Sequence, residues 1–231
     1  MKTEQPETVN GVNMARRSFL RYAGVGAVSA GVLAAAACQK DHKINLNNGI
    51  DIGSGDIGIL NYAYALEQLE AAFYTQVIKT PYTGMSSKEL SYLTAIRDHE
   101  ICHREFFKKA IGASAIVGLT VDFSSIDFTS RASVLGSAKA FEDTGVTAYD
   151  GVGYMIQNPA YLTLAGKIVS VEARHAALIS DLLIPGSFVA SDVVDPSNGL
   201  NKSALPKDVL PIANKYLKTK VNAAAFGYIA S

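Results

Sequence analysis

Residues 99–103 read His-Glu-Ile-Cys-His and residues 171–175 read Val-Glu-Ala-Arg-His, so the chain carries the motif Glu-x-x-His twice. The sequence contains only four His, and two of them end these motifs. Residues three apart in a helix lie on the same face, so the Glu and the His of one motif can reach the same metal ion. Two such motifs in separate helical segments are much less expected by chance than one. They predict two helices whose inner faces carry metal ligands.

Two single glutamates, Glu67 and Glu142, extend the pattern to two further helices. Each lies on an apolar stripe with helical spacing and is followed seven residues later by a tyrosine, Tyr74 or Tyr149. Each segment precedes one Glu-x-x-His motif, so the chain reads as two similar helix pairs related by an approximate two-fold axis. The predicted stripes are Leu60, Tyr64, Glu67, Ala71, Tyr74 and Ile78, and Leu135, Ala138, Glu142, Gly145, Tyr149 and Val152.

The sequence predicts an all-α fold, a four-helix bundle with one long crossover between the second and third helices. Residues 111–130 form this crossover, and their Val, Ile and Phe side chains predict a segment that lies against the bundle and pairs locally as short β-structure. Asp56 is the predicted N-cap of the first helix, and Asn158-Pro159 marks the start of the fourth. The helices are expected over about 56–79, 86–111, 131–157 and 159–183.

The bundle is expected to occupy residues 56–185. Residues 186–231 predict a loop-rich C-terminal extension with one short helix from about Lys207 to Lys218, in which Pro211 occupies the first turn or causes a kink. Residues 39–55 are polar and rich in glycine, which predicts a flexible tether in front of the bundle.

The first 38 residues predict an export signal rather than part of the fold. Arg16-Arg17 begins a twin-arginine (Tat) stretch, and an apolar run rich in Gly and Ala follows it up to Ala37. Small residues before Cys38 resemble a lipoprotein processing site, which would acylate Cys38 and tether the chain to the membrane. The alternative is ordinary cleavage after Ala37. The predicted location is the periplasm or the cell envelope, reached by the Tat route.

Several glutamates on the inner stripes of one bundle are unfavourable unless cations neutralise them. No Lys or Arg lies on the predicted inner stripes. Two divalent cations would cancel four carboxylates, and mixed oxygen and imidazole ligands favour two iron or manganese ions, with zinc as a substitute. Thiolate ligation is excluded because Cys38 and Cys102 are the only cysteines. The predicted metal ligands are Glu67, Glu100, His103, Glu142, Glu172 and His175.

Glu70 competes with Glu67 as the ligand from the first helix. The internal repeat favours Glu67, because Glu70 aligns with Gly145 in the second half of the chain. Glu70 is therefore expected to be either an additional ligand or a solvated residue at the rim of the site.

Four other side chains lie close to the predicted ligands in sequence. Tyr74 and Tyr149 are expected to hydrogen-bond to the ligand carboxylates, with ordinary core packing and radical transfer as the alternatives. His99 projects about 100° away from its neighbour Glu100, so we expect a surface or packing residue. Cys102 points away from the metal-binding face and is expected to be a buried thiol.

The charge balance excludes one class of partner. The net charge is zero, and no basic block lies outside the predicted signal, so nucleic acid is not an expected partner. The expected partners are metal ions with oxygen or peroxide, and the sequence leaves oligomerisation open.

The segments around the predicted ligands, Leu66–Tyr74, His99–His103, Phe141–Tyr149 and Val171–His175, resemble the ferritin-like domain family. They are most similar to the group that includes plant desiccation-related proteins and many exported bacterial proteins. The resemblance implies a four-helix bundle with a di-iron or di-manganese site ligated by the six residues named above. It does not imply one activity, because one fold hosts many functions.

Three functions are compatible with these patterns. The leading hypothesis is an exported dinuclear redox enzyme that reacts with oxygen or peroxide or oxidises Fe(II), of the ferroxidase or peroxidase kind. The second is a non-catalytic envelope protein for stress or desiccation, in which the metal is structural. The third is a membrane-associated partner of another redox protein.

Overall fold

The computed structural model describes residues 49–230, and four long helices make up most of it. Helix α1 packs chiefly against α2, and α3 packs chiefly against α4, while α1 and α3 join the two pairs. This arrangement confirms the predicted all-α bundle and the two helix pairs. The helices are α1 (Gly55–Lys79), α2 (Ser87–Ile111), α3 (Arg131–Val152) and α4 (Pro159–Leu183).

Two of the helix starts follow from local sequence signals. Ser86 caps α2 through a reciprocal pair of hydrogen bonds, because its hydroxyl accepts from the Glu89 backbone and the Glu89 carboxylate accepts from the Ser86 backbone. Asn158 caps α4, and Pro159 occupies its first position, where no backbone N–H is needed. These signals fix where the inner faces of α2 and α4 begin.

Asp56 does not cap α1, because Ser54 holds the N-cap position. The Asp56 carboxylate accepts hydrogen bonds of 2.8 and 2.9 Å from the backbone N–H groups of Gln157 and Asn158. Asp56, in the first turn of α1, therefore binds the backbone just before α4 and links the two helix pairs at one end of the bundle.

The crossover lies on the bundle, as its apolar content predicts. Ile116 and Ile126 are buried, and Val121 forms an isolated antiparallel bridge with Leu217 of the C-terminal extension. The predicted local β-pairing is therefore limited to one bridge, and its partner comes from a distant part of the chain.

Asn61 of α1 fixes the crossover to the bundle. Its side-chain amide donates to the carbonyl oxygens of Ile52 (3.1 Å) and Ser114 (2.9 Å), and its amide oxygen accepts from the backbone N–H of Ile116 (2.9 Å). Asn61, Ile52 and Ile116 are all buried, so the backbone groups of Ile52 and Ile116 have no ready access to water as an alternative partner.

Residues at the two ends of the described chain pair with each other. Strand β1 (Ile50–Asp51) pairs in parallel with β2 (Val221–Asn222), and the side chain of Ile52 is fully buried. Residues 49–55 of the predicted flexible tether are therefore packed against the domain. Ile50 and Ile52 are buried, and β1 pairs with a strand near the other end of the described chain. Between the bundle and β2, the extension forms α5 (Pro206–Ala213), which contains Pro211.

The predicted export signal of residues 1–38, the lipidation site Cys38 and residues 39–48 of the tether lie outside the described residues. Within residues 49–230, no helix has the length and apolar content needed to cross a membrane.

Replacing Asn61 by Ala should lower the free energy of unfolding by about 2–4 kcal/mol, because buried backbone groups lose their hydrogen bonds without access to water. Urea denaturation followed by circular dichroism measures the change. Gln157→Ala, which removes an exposed amide side chain, is the matched control and should change stability by less than about 0.5 kcal/mol. Equal effects of the two substitutions would contradict the role given to Asn61.

Candidate metal centre

The bundle brings the six predicted ligands together from four helices. Each helix delivers its ligands from an inner face, so the chain needs no loop residue to build the site. All four ligand carboxylates are fully buried, and both imidazoles are nearly so. The ligands come from α1 (Glu67), α2 (Glu100 and His103), α3 (Glu142) and α4 (Glu172 and His175).

The side chains form two overlapping groups, each of which could hold a metal ion. In each group, one ligand atom per residue lies within 4.8 Å of the others. We call the first group the His103 position; it contains Glu67, Glu100, His103 and Glu172. We call the second the His175 position; it contains Glu100, Glu142, Glu172 and His175.

The distances in the His103 position run from one imidazole nitrogen to three carboxylates. Nδ1 of His103 lies 2.6 Å from Glu172 Oε1, 3.4 Å from Glu67 Oε2 and 3.6 Å from Glu100 Oε2. The position therefore offers one nitrogen and three oxygens, which is the mixed donor set that iron and manganese accept.

The His175 position repeats this arrangement. Nδ1 of His175 lies 2.7 Å from Glu100 Oε1, 3.5 Å from Glu172 Oε2 and 3.6 Å from Glu142 Oε2. Glu100 and Glu172 thus give one oxygen to each position, so they can bridge two ions. Glu67 and Glu142 each serve one position only.

Two tyrosines hydrogen-bond to Glu67 and Glu142, the carboxylates that each belong to only one of the two positions. The Tyr74 hydroxyl of α1 donates to Glu142 Oε1 of α3 at 2.5 Å, and the Tyr149 hydroxyl of α3 donates to Glu67 Oε1 of α1 at 2.5 Å. These are the hydrogen bonds to ligand carboxylates that the sequence predicts, although each tyrosine serves the glutamate of the other helix. Each bond leaves Oε2 of the same carboxylate directed at the site.

Unsatisfied ligand atoms test whether the residues fit a metal ion. Eight buried ligand atoms of the six residues have no hydrogen-bond partner within the described chain, including Nδ1 of both imidazoles and both oxygens of Glu100 and Glu172. The short N···O contacts also lack hydrogen-bond geometry. Buried polar atoms are rarely left unpaired, and these lie together in the two groups defined above. The donor set therefore fits bound cations.

In the metal-free protein, burial and mutual repulsion favour the protonated forms of Glu67 and Glu142, which each belong to only one position. Burial, followed by the charge of Glu172, raises the pKa of Glu67 well above its usual range. Burial likewise raises the pKa of Glu142 to about 8. For Glu100, burial also opposes ionisation, but contacts with His103 and His175 outweigh it and lower the pKa to about 2.

Within residues 49–230, the two imidazoles are the cationic groups that contact these acids in the metal-free protein. Burial opposes the charged form of His175, but contacts with Glu100, Glu142 and Glu172 outweigh it and raise its pKa to about 12. The pKa of His103 is raised for the same reason. In the metal-free protein, the two protonated imidazoles therefore supply positive charge that metal ions would supply in the loaded centre.

Glu70 is a seventh buried acid, and the structure corrects the alternative of a solvated rim residue. It is only 3% exposed, and it lies outside both groups that could hold an ion. A Cβ atom built at Gly145 would lie 2.9 Å from Glu70 Oε1, so Glu70 fills the space that a side chain at its repeat-related position would need. Burial and four neighbouring carboxylates raise its pKa well above the usual range.

His99 is a residue that the sequence pattern did not assign to the site. It lies on α2 beside Glu100, and its Nδ1 is 2.9 Å from Nε2 of His175 on α4. The ring planes differ by 11° and the ring centres are 5.1 Å apart, so the rings meet edge to edge. Helix spacing alone could not show this contact, because it runs between helices.

Cys102 is exposed rather than buried, which corrects the expectation of a core thiol. It does point away from Glu100, but that face of α2 is open to solvent.

The family comparison agrees with the geometry. The model of the ferritin-like domain matches residues 55–185, which is more than half of the chain and includes every residue of both metal positions. The chain belongs to the ferritin-like domain family. The finer similarity to desiccation-related and exported members stays a prediction. A search of curated proteins finds no match. In this ferritin-like chain, the matched segment contains the ligands of all four helices.

Metal affinity should rise with pH. At neutral pH the metal-free protein holds protons on Glu142, His103 and His175, and a metal ion can bind only after they leave. Raising the pH removes this competition, so the association constant for Mn²⁺ should rise at least about tenfold per pH unit between pH 6 and 8. Calorimetric titration in buffers with different ionisation enthalpies measures the protons released. An affinity that does not change with pH would contradict this account.

Glu67→Gln should lower Mn²⁺ affinity by at least about tenfold, because it removes the charge of a ligand without changing its shape. Glu70→Gln is the matched control, one helical turn away, and should change affinity much less because Glu70 lies outside both positions. Equilibrium dialysis followed by elemental analysis measures the bound metal. Equal losses would show that the ligand from α1 is wrongly assigned.

Proposed function

We propose that this chain is a dinuclear metal oxidoreductase that reacts with oxygen or peroxide, or oxidises Fe(II), with iron or manganese as the metal. The two overlapping positions support two ions rather than one, since Glu100 and Glu172 each present one oxygen to both. Bound iron or manganese would supply electrons to the oxidant. The remaining steps fall to side chains of this chain.

The observation that carries the proposal is Glu70. Two divalent ions are neutralised by the four ligand carboxylates, so a fifth buried acid adds nothing to the charge balance of a structural site. An acid buried among carboxylates is unfavourable, and a site that served stability alone would be more stable without it. The burial of Glu70 among the ligand carboxylates therefore supports a chemical role for it.

Two-electron reduction of oxygen to peroxide, or of peroxide to water, consumes two protons, and Glu70 is a buried acid on which the charges of the ligand carboxylates act. Burial raises the pKa of Glu70 above that of an ordinary glutamate, which favours a carboxyl that carries a proton. Gly145 leaves the room in which the Glu70 carboxyl lies. We assign Glu70 the role of proton donor to the reduced oxidant.

Tyr74 and Tyr149 orient ligands in this scheme. Each hydroxyl occupies one oxygen of a terminal carboxylate, so Glu142 and Glu67 can each offer only the other oxygen to an ion. Burial, followed by the charge of Glu142, raises the pKa of Tyr74 well above its usual range, so the hydroxyl keeps its proton. Such fixed partners limit how far the terminal carboxylates can move.

We propose in addition that the chain is exported. The support is the twin-arginine stretch around Arg16-Arg17 and the small residues before Cys38. Export of a folded, metal-loaded domain would suit a centre whose ligands come from four helices. Cell fractionation tests this part, since a chain found only in the cytoplasm would rule it out. Labelling with a fatty-acid analogue, with Cys38→Ala as control, tests lipidation.

Stopped-flow absorbance of the anaerobic Fe(II) protein mixed with oxygen or peroxide tests the activity. We expect rapid oxidation of the bound iron, and Glu70→Gln should slow it about 100-fold while the metal content stays unchanged, because the amide cannot donate an acid proton. Glu105→Gln, on the exposed side of α2, is the control and should react like the parent protein.

An Fe(II) protein that is inert towards both oxidants would favour the alternative of a stress-type envelope protein with a structural metal. In that case metal removal should still lower the melting temperature, because bound metal stabilises the folded state.

A further inference from the structure

The two metal positions differ in one contact, although the chain repeats the ligands around an approximate two-fold axis. Superposing the motifs aligns Glu100 with Glu172 and His103 with His175, and it therefore aligns His99 with Val171. His99 lies beside Nε2 of His175 at 2.9 Å. Val171 has no polar side-chain atom to offer at the equivalent place.

We propose that His99 makes the His175 position bind its metal ion more tightly than the His103 position, so that the centre loads its two ions in a fixed order. This inference rests on the proposed two-metal centre. It concerns the affinities of the two positions and not the reaction that follows.

The chemistry of the imidazole ring gives the direction of the hydrogen bond. Nδ1 of His175 faces the carboxylates and must present its lone pair to a metal ion, so the proton of the neutral ring lies on Nε2. Nε2–H then donates to Nδ1 of His99. The near-coplanar, edge-to-edge rings place both nitrogens for such a bond.

A donor bond of this kind strengthens the ligand in two ways. It fixes the orientation and tautomer of His175, so less freedom is lost when the ion binds, and it increases electron density on Nδ1. His103 lacks both effects, since no hydrogen bond from its Nε2 to another residue of the described chain is found. Its side chain is 12% exposed, against 5% for His175, so the His103 ring is the more accessible of the two to solvent.

The contacts of the ligand carboxylates are balanced between the two positions. Each has one terminal carboxylate held by a tyrosine, one oxygen from Glu100 and one oxygen from Glu172. We therefore assign the difference in affinity to the His99 contact, since losing a partner of this kind lowers metal affinity by about 10–100-fold.

Anaerobic titration of the metal-free full chain with Co²⁺, followed by calorimetry and visible absorbance, tests the proposal. We expect two binding steps whose dissociation constants differ by about 10–100-fold. Glu142→Gln should weaken the tight step, and Glu67→Gln should weaken the other one. The opposite assignment would overturn the proposed order.

His99→Ala should weaken the tight step by about 10–100-fold and bring the two steps together. His99→Gln should restore part of the separation, because its amide oxygen can accept the same hydrogen bond. Val171→Ala, at the repeat-related position, is the matched control and should leave both steps unchanged. Circular dichroism and thermal melting of the metal-free variants show whether each has folded.

Failure of the inference and failure of the proposed function give different results. If the parent protein binds fewer than two ions per chain, the two-metal centre itself is wrong. If it binds two ions with equal affinity, or if His99→Ala leaves the separation unchanged, the centre stands and the role of His99 is overturned.

Discussion

Four carboxylates converge in the closed interior of the bundle, and every other feature of the molecule has to accommodate their charge. Water cannot reach them, since Glu67, Glu100, Glu142 and Glu172 are fully buried. Lone buried charges are strongly unfavourable, so the acids need protons, imidazolium ions or metal ions beside them. The apolar remainder of the core supplies the folding free energy that makes such a centre tolerable. The helix ends, the Asn61 contacts and the crossover hold the four inner faces in register around it.

Protons give the metal-free chain a way to fold before a metal ion arrives. The imidazoles of His103 and His175 carry the positive charge beside Glu100, while burial raises the pKa of Glu67 and Glu142 and so favours their protonated forms. Metal binding is then an exchange of cations rather than the addition of charge to a neutral cavity.

The sequence was informative where helical spacing decides the outcome and silent where contacts run between helices. Residues three and four apart share a face, so the positions of Glu67 and of both Glu-x-x-His motifs predict the bundle and the convergence of its ligands. The contact between His99 and His175 depends on how α2 and α4 pack, which no local pattern encodes. The packing of Ile52 beside β1 depends on a partner strand far along the chain. Which oxygens bridge the two positions is likewise a property of the assembled helices.

The approximate two-fold symmetry of the chain is broken near the metal centre at two pairs of repeat-related residues. Glu70 and Gly145 are equivalent in the repeat, and a Cβ atom at 145 would lie 2.9 Å from Glu70 Oε1, so a side chain there would require the Glu70 carboxyl to shift. His99 and Val171 are equivalent too, and only one of them can accept a hydrogen bond. A centre with two identical halves would give both ions the same affinity and would have no preferred side for proton delivery. The two unequal pairs leave the six ligands unchanged. In the proposed scheme, they make the two metal affinities unequal and place the proton donor on one side of the site.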